Sequence, residues 1–117
     1  MSAEPLRLLV VDDDDVDRMA LRRALQRSDL LFELREVNSA KSGMSLLDSE
    51  AFDCAFLDYQ LPDCDGLTLV NRLRETGVKV PLIALTGQGS EETAVNLMKA
   101  GASDYLPKSK LSSDTLT

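Results

Sequence analysis

Apolar residues fall into three near-continuous runs along this chain: RLLVV at 7–11, DCAFL at 53–57 and VPLIAL at 80–85. Runs of this length with little polar alternation fit strands covered on both faces, as at the centre of a parallel sheet. Two further runs are weaker. ELREV at 33–37 alternates in part, and SDYL at 103–106 is short, as suits strands at a sheet edge. Pro81 falls near the start of its run, where a missing amide donor does least harm.

Between these runs the period changes to that of a helix. Over 15–27, Val16, Met19, Ala20, Arg23 and Ala24 form one stripe, with Leu21 and Leu25 beside it. Leu67, Val70 and Leu73 recur over 65–76 together with Leu69, and Ala94, Leu97 and Met98 recur over 90–100. Segment 40–50 is the weakest, anchored by Met44 and Leu47 with Gly43 inside it. Gly77 and Gly101 stand where a left-handed residue closes a helix. Ser90 precedes two glutamates and is placed to cap the fourth helix.

The pattern is therefore β-α repeated five times, with the last helix barely begun at SSDTLT. Alternating strands and helices predict an α/β fold with a parallel sheet and right-handed crossovers. Edge-like second and fifth strands favour a flavodoxin-like, doubly wound five-stranded sheet of order 2-1-3-4-5, its fifth helix truncated or absent.

Composition narrows the function. At 117 residues the chain fits one domain. A net charge of −7 argues against direct nucleic-acid binding and is compatible with a bound cation. The absence of histidine removes His-based acid–base pairs and His metal ligands. Cys54 and Cys64 form no disulfide framework, and no long apolar run points to a membrane. They are expected to be reduced thiols in a cytoplasmic protein.

Ligands of such a sheet bind beyond the carboxyl ends of its strands. Asp12 and Asp13 follow the first strand, Asp58 the third, Thr86 the fourth and Lys108 the fifth. In the expected order these residues converge on one rim. Clustered carboxylates raise one another's pKa unless a cation shares them, and Mg²⁺ suits a few carboxylates while keeping open positions for phosphate oxygens. A carboxylate beside such a metal can attack phosphorus and form an acyl phosphate, with Lys108 supplying an ammonium and Thr86 a hydroxyl. The main-chain carbonyl of Gln60 is placed to complete the coordination. Asp14, Asp15 and Asp17 are read as caps and dipole partners of the first helix.

The segments VVDD, DYQLPDCDG, LTG and GASDYLPK resemble the receiver domain of two-component response regulators, over nearly the whole chain. By position, the resemblance makes Asp58 the phosphoacceptor and Asp12 and Asp13 the Mg²⁺-binding acidic pair. Thr86 becomes the switch hydroxyl, Lys108 the phosphate-contacting lysine, and Tyr105 the aromatic that changes rotamer with Thr86. It also implies a histidine kinase or phosphotransfer protein as partner and allows a homodimer through the helix 4–strand 5 face. Residues 1–117 would be a single receiver, the amino-terminal part of a longer protein, unless a dimer partner covers the face a fifth helix would occupy.

Besides the truncated or absent fifth helix, one feature departs from the family pattern. Many receivers carry a proline, often cis, directly after the lysine, whereas this chain has Pro107-Lys108-Ser109. A cis bond before serine would cost roughly 2.5–4 kcal/mol, so a trans bond is expected. Gly87 leaves a phosphoryl group accessible, and Gln88 stands where the family tunes phosphate lifetime. The alternative functions are a phosphorylation-independent interaction module of receiver fold and an aspartate-nucleophile phosphatase. The latter wants an acid where this chain has Gln60.

Overall fold

The computed structural model describes residues 4–87 and 91–111. Its elements alternate as expected: β1 (Leu6–Val11), α1 (Asp15–Arg27), β2 (Phe32–Val37), α2 (Ala40–Ser49), β3 (Cys54–Asp58), α3 (Gly66–Glu75), β4 (Leu82–Thr86), α4 (Glu91–Ala100) and β5 (Asp104–Pro107). A short 3₁₀ turn, Lys108–Lys110, follows. The five strands pair in parallel in the order β2-β1-β3-β4-β5. The expected sheet order is the observed one.

Neighbouring residues of the central strands point to opposite faces, so each apolar run feeds two cores. Leu9, Val11, Ala55, Leu57, Leu82 and Ala84 pack against Leu69, Val70, Leu73 and Leu97 of α3 and α4. Leu8, Val10, Phe56 and Leu85 pack against Leu21 and Leu25 of α1 and against Leu111. Apart from Leu6 at the start of β1, the exposed strand positions lie on the edge strands, at Glu33 and Arg35 of β2 and at Asp104 and Tyr105 of β5.

Helix ends follow local chemistry. Asp14 caps α1, Ser39 caps α2 and Asp65 caps α3 through side-chain oxygens. Gly77 and Gly101 adopt φ of 91° and 119°, the left-handed turns expected after α3 and α4. Ser90 lies outside the described residues, as do Gln88 and residues 112–117, on which the expectation about a fifth helix falls.

Two details differ from the sequence reading. On α1 the buried residues are Leu21, Ala24 and Leu25, whereas Val16 and Met19 are exposed. The stripe is rotated because the helix turns Leu21 and Leu25 onto the sheet and leaves Val16, Met19 and Arg23 beside Leu111 at a shallow groove. Met98 of α4 is likewise exposed, while Ala94 and Leu97 are buried. Among the described residues, no helix is long and apolar enough to cross a membrane.

Candidate functional site

Four carboxyl ends of the sheet deliver the site. β1 ends at Val11, and the next residue, Asp12, is fully buried. Its amide donates to the Val37 carbonyl at 3.0 Å, its Oδ1 accepts from the amide of Asp14 at 3.0 Å, and its carbonyl accepts from Arg18 Nη1 at 2.5 Å. These bonds lock the acid in place from both sides. Asp13 follows on the exposed side.

Asp58 and Thr86 close β3 and β4 rather than following them, because their backbones still pair: Asp58 stands opposite Leu85, and Thr86 opposite Pro107. Asp58 is 3% exposed, and its Oδ1 accepts from the Gln60 amide at 3.3 Å. Gln60, which lines the pocket, pairs with Asp65 across the β3–α3 loop. Gly66 at the start of α3 is closely packed here, its amide 2.6 Å from the Tyr59 carbonyl.

Lys108 enters from the turn after β5. Its Nζ lies 3.0 Å from Asp58 Oδ1, 3.1 Å from Asp12 Oδ2 and 2.7 Å from Asp17 Oδ2. Every peptide bond among the described residues is trans, including the one before Ser109, and the lysine still reaches the acids. Burial alone would lower the Lys108 pKa, but the carboxylates of Asp17, Asp58 and Asp12 outweigh it and raise it above the ordinary lysine value. Asp58 moves the other way from most paired acids. Desolvation, with the charge of Asp12 beside it, overcomes the lysine and lifts its pKa to about 6.

One carboxylate oxygen each from Asp12, Asp13 and Asp58 lies within 4.8 Å of the other two. Asp12 Oδ2 is buried and accepts no hydrogen bond, although the Lys108 ammonium stands within ion-pair range of it. Three hard oxygen donors with an unspent lone pair fit a divalent cation such as Mg²⁺. The pocket above them is about 270 Å³ and is lined by Asp13, Asp14, Asp17, Asp58, Gln60, Gly87 and Lys108.

Neither of the two remaining expected residues lines that pocket. Thr86 is 2% exposed, and its hydroxyl has no hydrogen-bond partner. Tyr105 pairs in register with Ala84, so it shares a face of the β4–β5 pair with Thr86, and its ring is 38% exposed. What the sequence reading missed is Asp17. Its place in the acidic run marks it as a cap or dipole partner of the helix, yet from the first turn of α1 it makes the shortest contact to Lys108. The acidic run carried that signal, but its partner lies 91 residues away.

Residues 8–117 match the model of the response regulator receiver domain. The chain belongs to that family. Curated relatives include response regulator MprA of Mycolicibacterium vanbaalenii, 39% identical over 104 residues, and MprA of Mycobacterium avium, 41% identical over 106 residues. These alignments cover 89% and 88% of this chain. The chain spans 44% of the length of these relatives. Among solved structures, a response regulator from Chloroflexus aurantiacus is 31% identical with a TM-score of 0.81, and the alignment covers 92% of both chains. The BeF3-activated DrrB receiver domain is 28% identical with a TM-score of 0.76, covering 90% of this chain and 86% of that one. A receiver domain of a two-component response regulator implies phosphorylation-dependent signalling, and the acidic cluster of this one is compatible with Mg²⁺.

Proposed function

We propose that this receiver accepts a phosphoryl group on Asp58 from a phosphohistidine of a histidine kinase or phosphotransfer protein. The observation that carries the reading is the meeting of Asp12, Asp13, Asp58 and Lys108 at one pocket. Asp12, Asp13, Asp58 and the Gln60 carbonyl would hold Mg²⁺, which when bound supplies positive charge to the transferring group. An Asp58 oxygen attacks phosphorus, the P–N bond to the donor imidazole breaks, and the imidazole leaves with a proton from solvent. Lys108 places its ammonium beside Asp58, where negative charge accumulates on the phosphoryl oxygens.

The product changes the balance between two conformations. A phosphoryl group on Asp58 offers an acceptor to the Thr86 hydroxyl, which is buried without a partner. Movement of Thr86 vacates space on its face of the sheet, and Tyr105 turns inward from its exposed position. This biases a pre-existing equilibrium and alters the surface formed by α4 and β5, where Val95, Met98 and Tyr105 are exposed. That surface is where a second receiver or an output partner would bind. A BeF3-activated form exists for the similar DrrB receiver, which supports the same chemistry here.

Incubation with Mg²⁺ and acetyl phosphate should add one phosphoryl group, read by intact mass, and Asp58→Asn should abolish the gain. Phosphoryl uptake that survives Asp58→Asn, or partner binding indifferent to both donor and substitution, would overturn the assignment.

A further inference from the structure

The lysine in this pocket has one carboxylate partner more than the proposed reaction uses. Asp12 and Asp58 are within 4.8 Å of Asp13 in the acidic cluster, but Asp17 is not a member of that cluster. Asp17 contacts Lys108 at 2.7 Å, against 3.0 Å for Asp58 and 3.1 Å for Asp12. Its Oδ2 accepts a hydrogen bond from the ammonium, whereas Asp12 Oδ2 accepts none.

From this geometry we infer that Asp17 is a positioning residue that tethers Lys108 over Asp58 throughout the phosphoryl-transfer cycle, an inference that rests on the function proposed above. A cation on Asp12, Asp13 and Asp58 competes with the lysine for two of its three carboxylate partners, Asp12 and Asp58. Asp17 Oδ2 is then the anionic partner that Lys108 keeps. A lysine side chain is flexible and strongly hydrated, and Lys108 projects from a single 3₁₀ turn with no proline after it. Its side chain is 18% exposed, so solvent lies within easy reach. Asp17 stands on the first turn of α1, whose register is set by the Asp14 cap, with bonds to Val16 at 2.8 Å and to Asp17's own amide at 3.4 Å. The tether therefore runs from a rigid helix across to the turn after β5. One ammonium N–H is held by Asp17, and the other two remain for phosphoryl oxygens on Asp58.

The experiment compares the wild type with Asp17→Asn, Asp17→Glu and Asp15→Asn. Asp15 is on the same helical turn, its side chain is 86% exposed, and it pairs with Arg18 rather than Lys108, so it controls for loss of a first-turn carboxylate that does not touch the lysine. At saturating Mg²⁺ the rate of phosphorylation by acetyl phosphate should fall roughly tenfold in Asp17→Asn, recover in part in Asp17→Glu, and change less than twofold in Asp15→Asn. A second readout needs no turnover. The ¹H–¹⁵N correlation of the Lys108 ammonium should be protected in the wild type with and without Mg²⁺. In Asp17→Asn it should broaden away once Mg²⁺ is added. An Asp17→Asn rate within twofold of the wild type or above it, an equal loss in Asp15→Asn, or a Lys108 signal unaffected by the substitution would each overturn the tether. Failure of the wild type itself to take up phosphate would instead overturn the proposed function, so the two are separable.

Discussion

The amide nitrogen of Gly66 lies 2.6 Å from the carbonyl oxygen of Tyr59, seating the start of α3 directly on the backbone that follows Asp58. The approach is possible because position 66 has no side chain. A Cβ there would stand 2.7 Å from Tyr59 Cα and 3.0 Å from the Asp58 carbonyl oxygen. Both obstacles are backbone atoms that cannot swing aside. Gly66→Ala should therefore cost about 1–3 kcal/mol of stability and slow phosphoryl uptake by displacing the Asp58–Gln60 segment. Urea denaturation and acetyl phosphate kinetics measure the two effects, and a variant matching the wild type in both would show that the loop yields freely.

Asp63 ties the same loop to α2. Its carboxylate accepts from the amides of Ala40 at 2.9 Å and Lys41 at 3.0 Å, and these bonds hold its pKa below the ordinary 3.8. A carboxylate with a lowered pKa in the folded state stabilises the fold above the ordinary value, and loses that contribution as pH falls through the lowered one. Asp63→Ala should lower the melting temperature by about 3–5 °C at pH 7. The gap to the wild type should narrow below pH 3.8, and a gap independent of pH would mean that charge plays no part.

Asp58 has the opposite sign. Because its pKa is raised from 3.8 to about 6, the folded state binds more protons than the unfolded chain between those values, and stability declines as pH rises through the window. In metal-free protein at pH 7, Asp58→Asn should be more stable than the wild type by on the order of 2 kcal/mol. The difference should vanish near pH 3.8. Added Mg²⁺ should raise the melting temperature of the wild type and leave Asp58→Asn nearly unmoved, whereas EDTA should restore the metal-free order. Calorimetry across pH 4–8 with and without Mg²⁺ tests all three statements, and equal Mg²⁺ responses in the two proteins would place the cation elsewhere.

Arg74 stitches the opposite end of the molecule. Its Nε donates to the Gly101 carbonyl at 2.9 Å, and its Nη1 to the carbonyls of Val78 and Val80 at 2.8 and 2.9 Å. Removing it leaves carbonyls of two loops without a donor. Arg74→Ala should destabilise by about 2–3 kcal/mol, and Arg74→Lys should rescue little, since a single ammonium cannot span the fork. Phosphoryl uptake of the folded protein should be unchanged. Loss of uptake without loss of stability would contradict a purely structural role.

Much of this protein was legible in the order of its residues. Three apolar runs and two weaker ones gave the strands and their places in the sheet, because burial on both faces excludes polar alternation and exposure at an edge permits it. Asp12, Asp13, Asp58 and Lys108 were legible as a convergent set because a parallel sheet presents all its carboxyl ends on one side. The rotation of the α1 stripe was not, since Val16 and Leu21 are equally apolar and only the packing angle chooses between them. Nor were the contacts of Asp17 to Lys108, Asp63 to the α2 amides, or Arg74 to Gly101. Local pattern assigns such charged residues to the nearest helix end. Which of them meets a distant partner is decided only when the crossovers bring separated loops within about 3 Å, the range at which hydrogen bonds form.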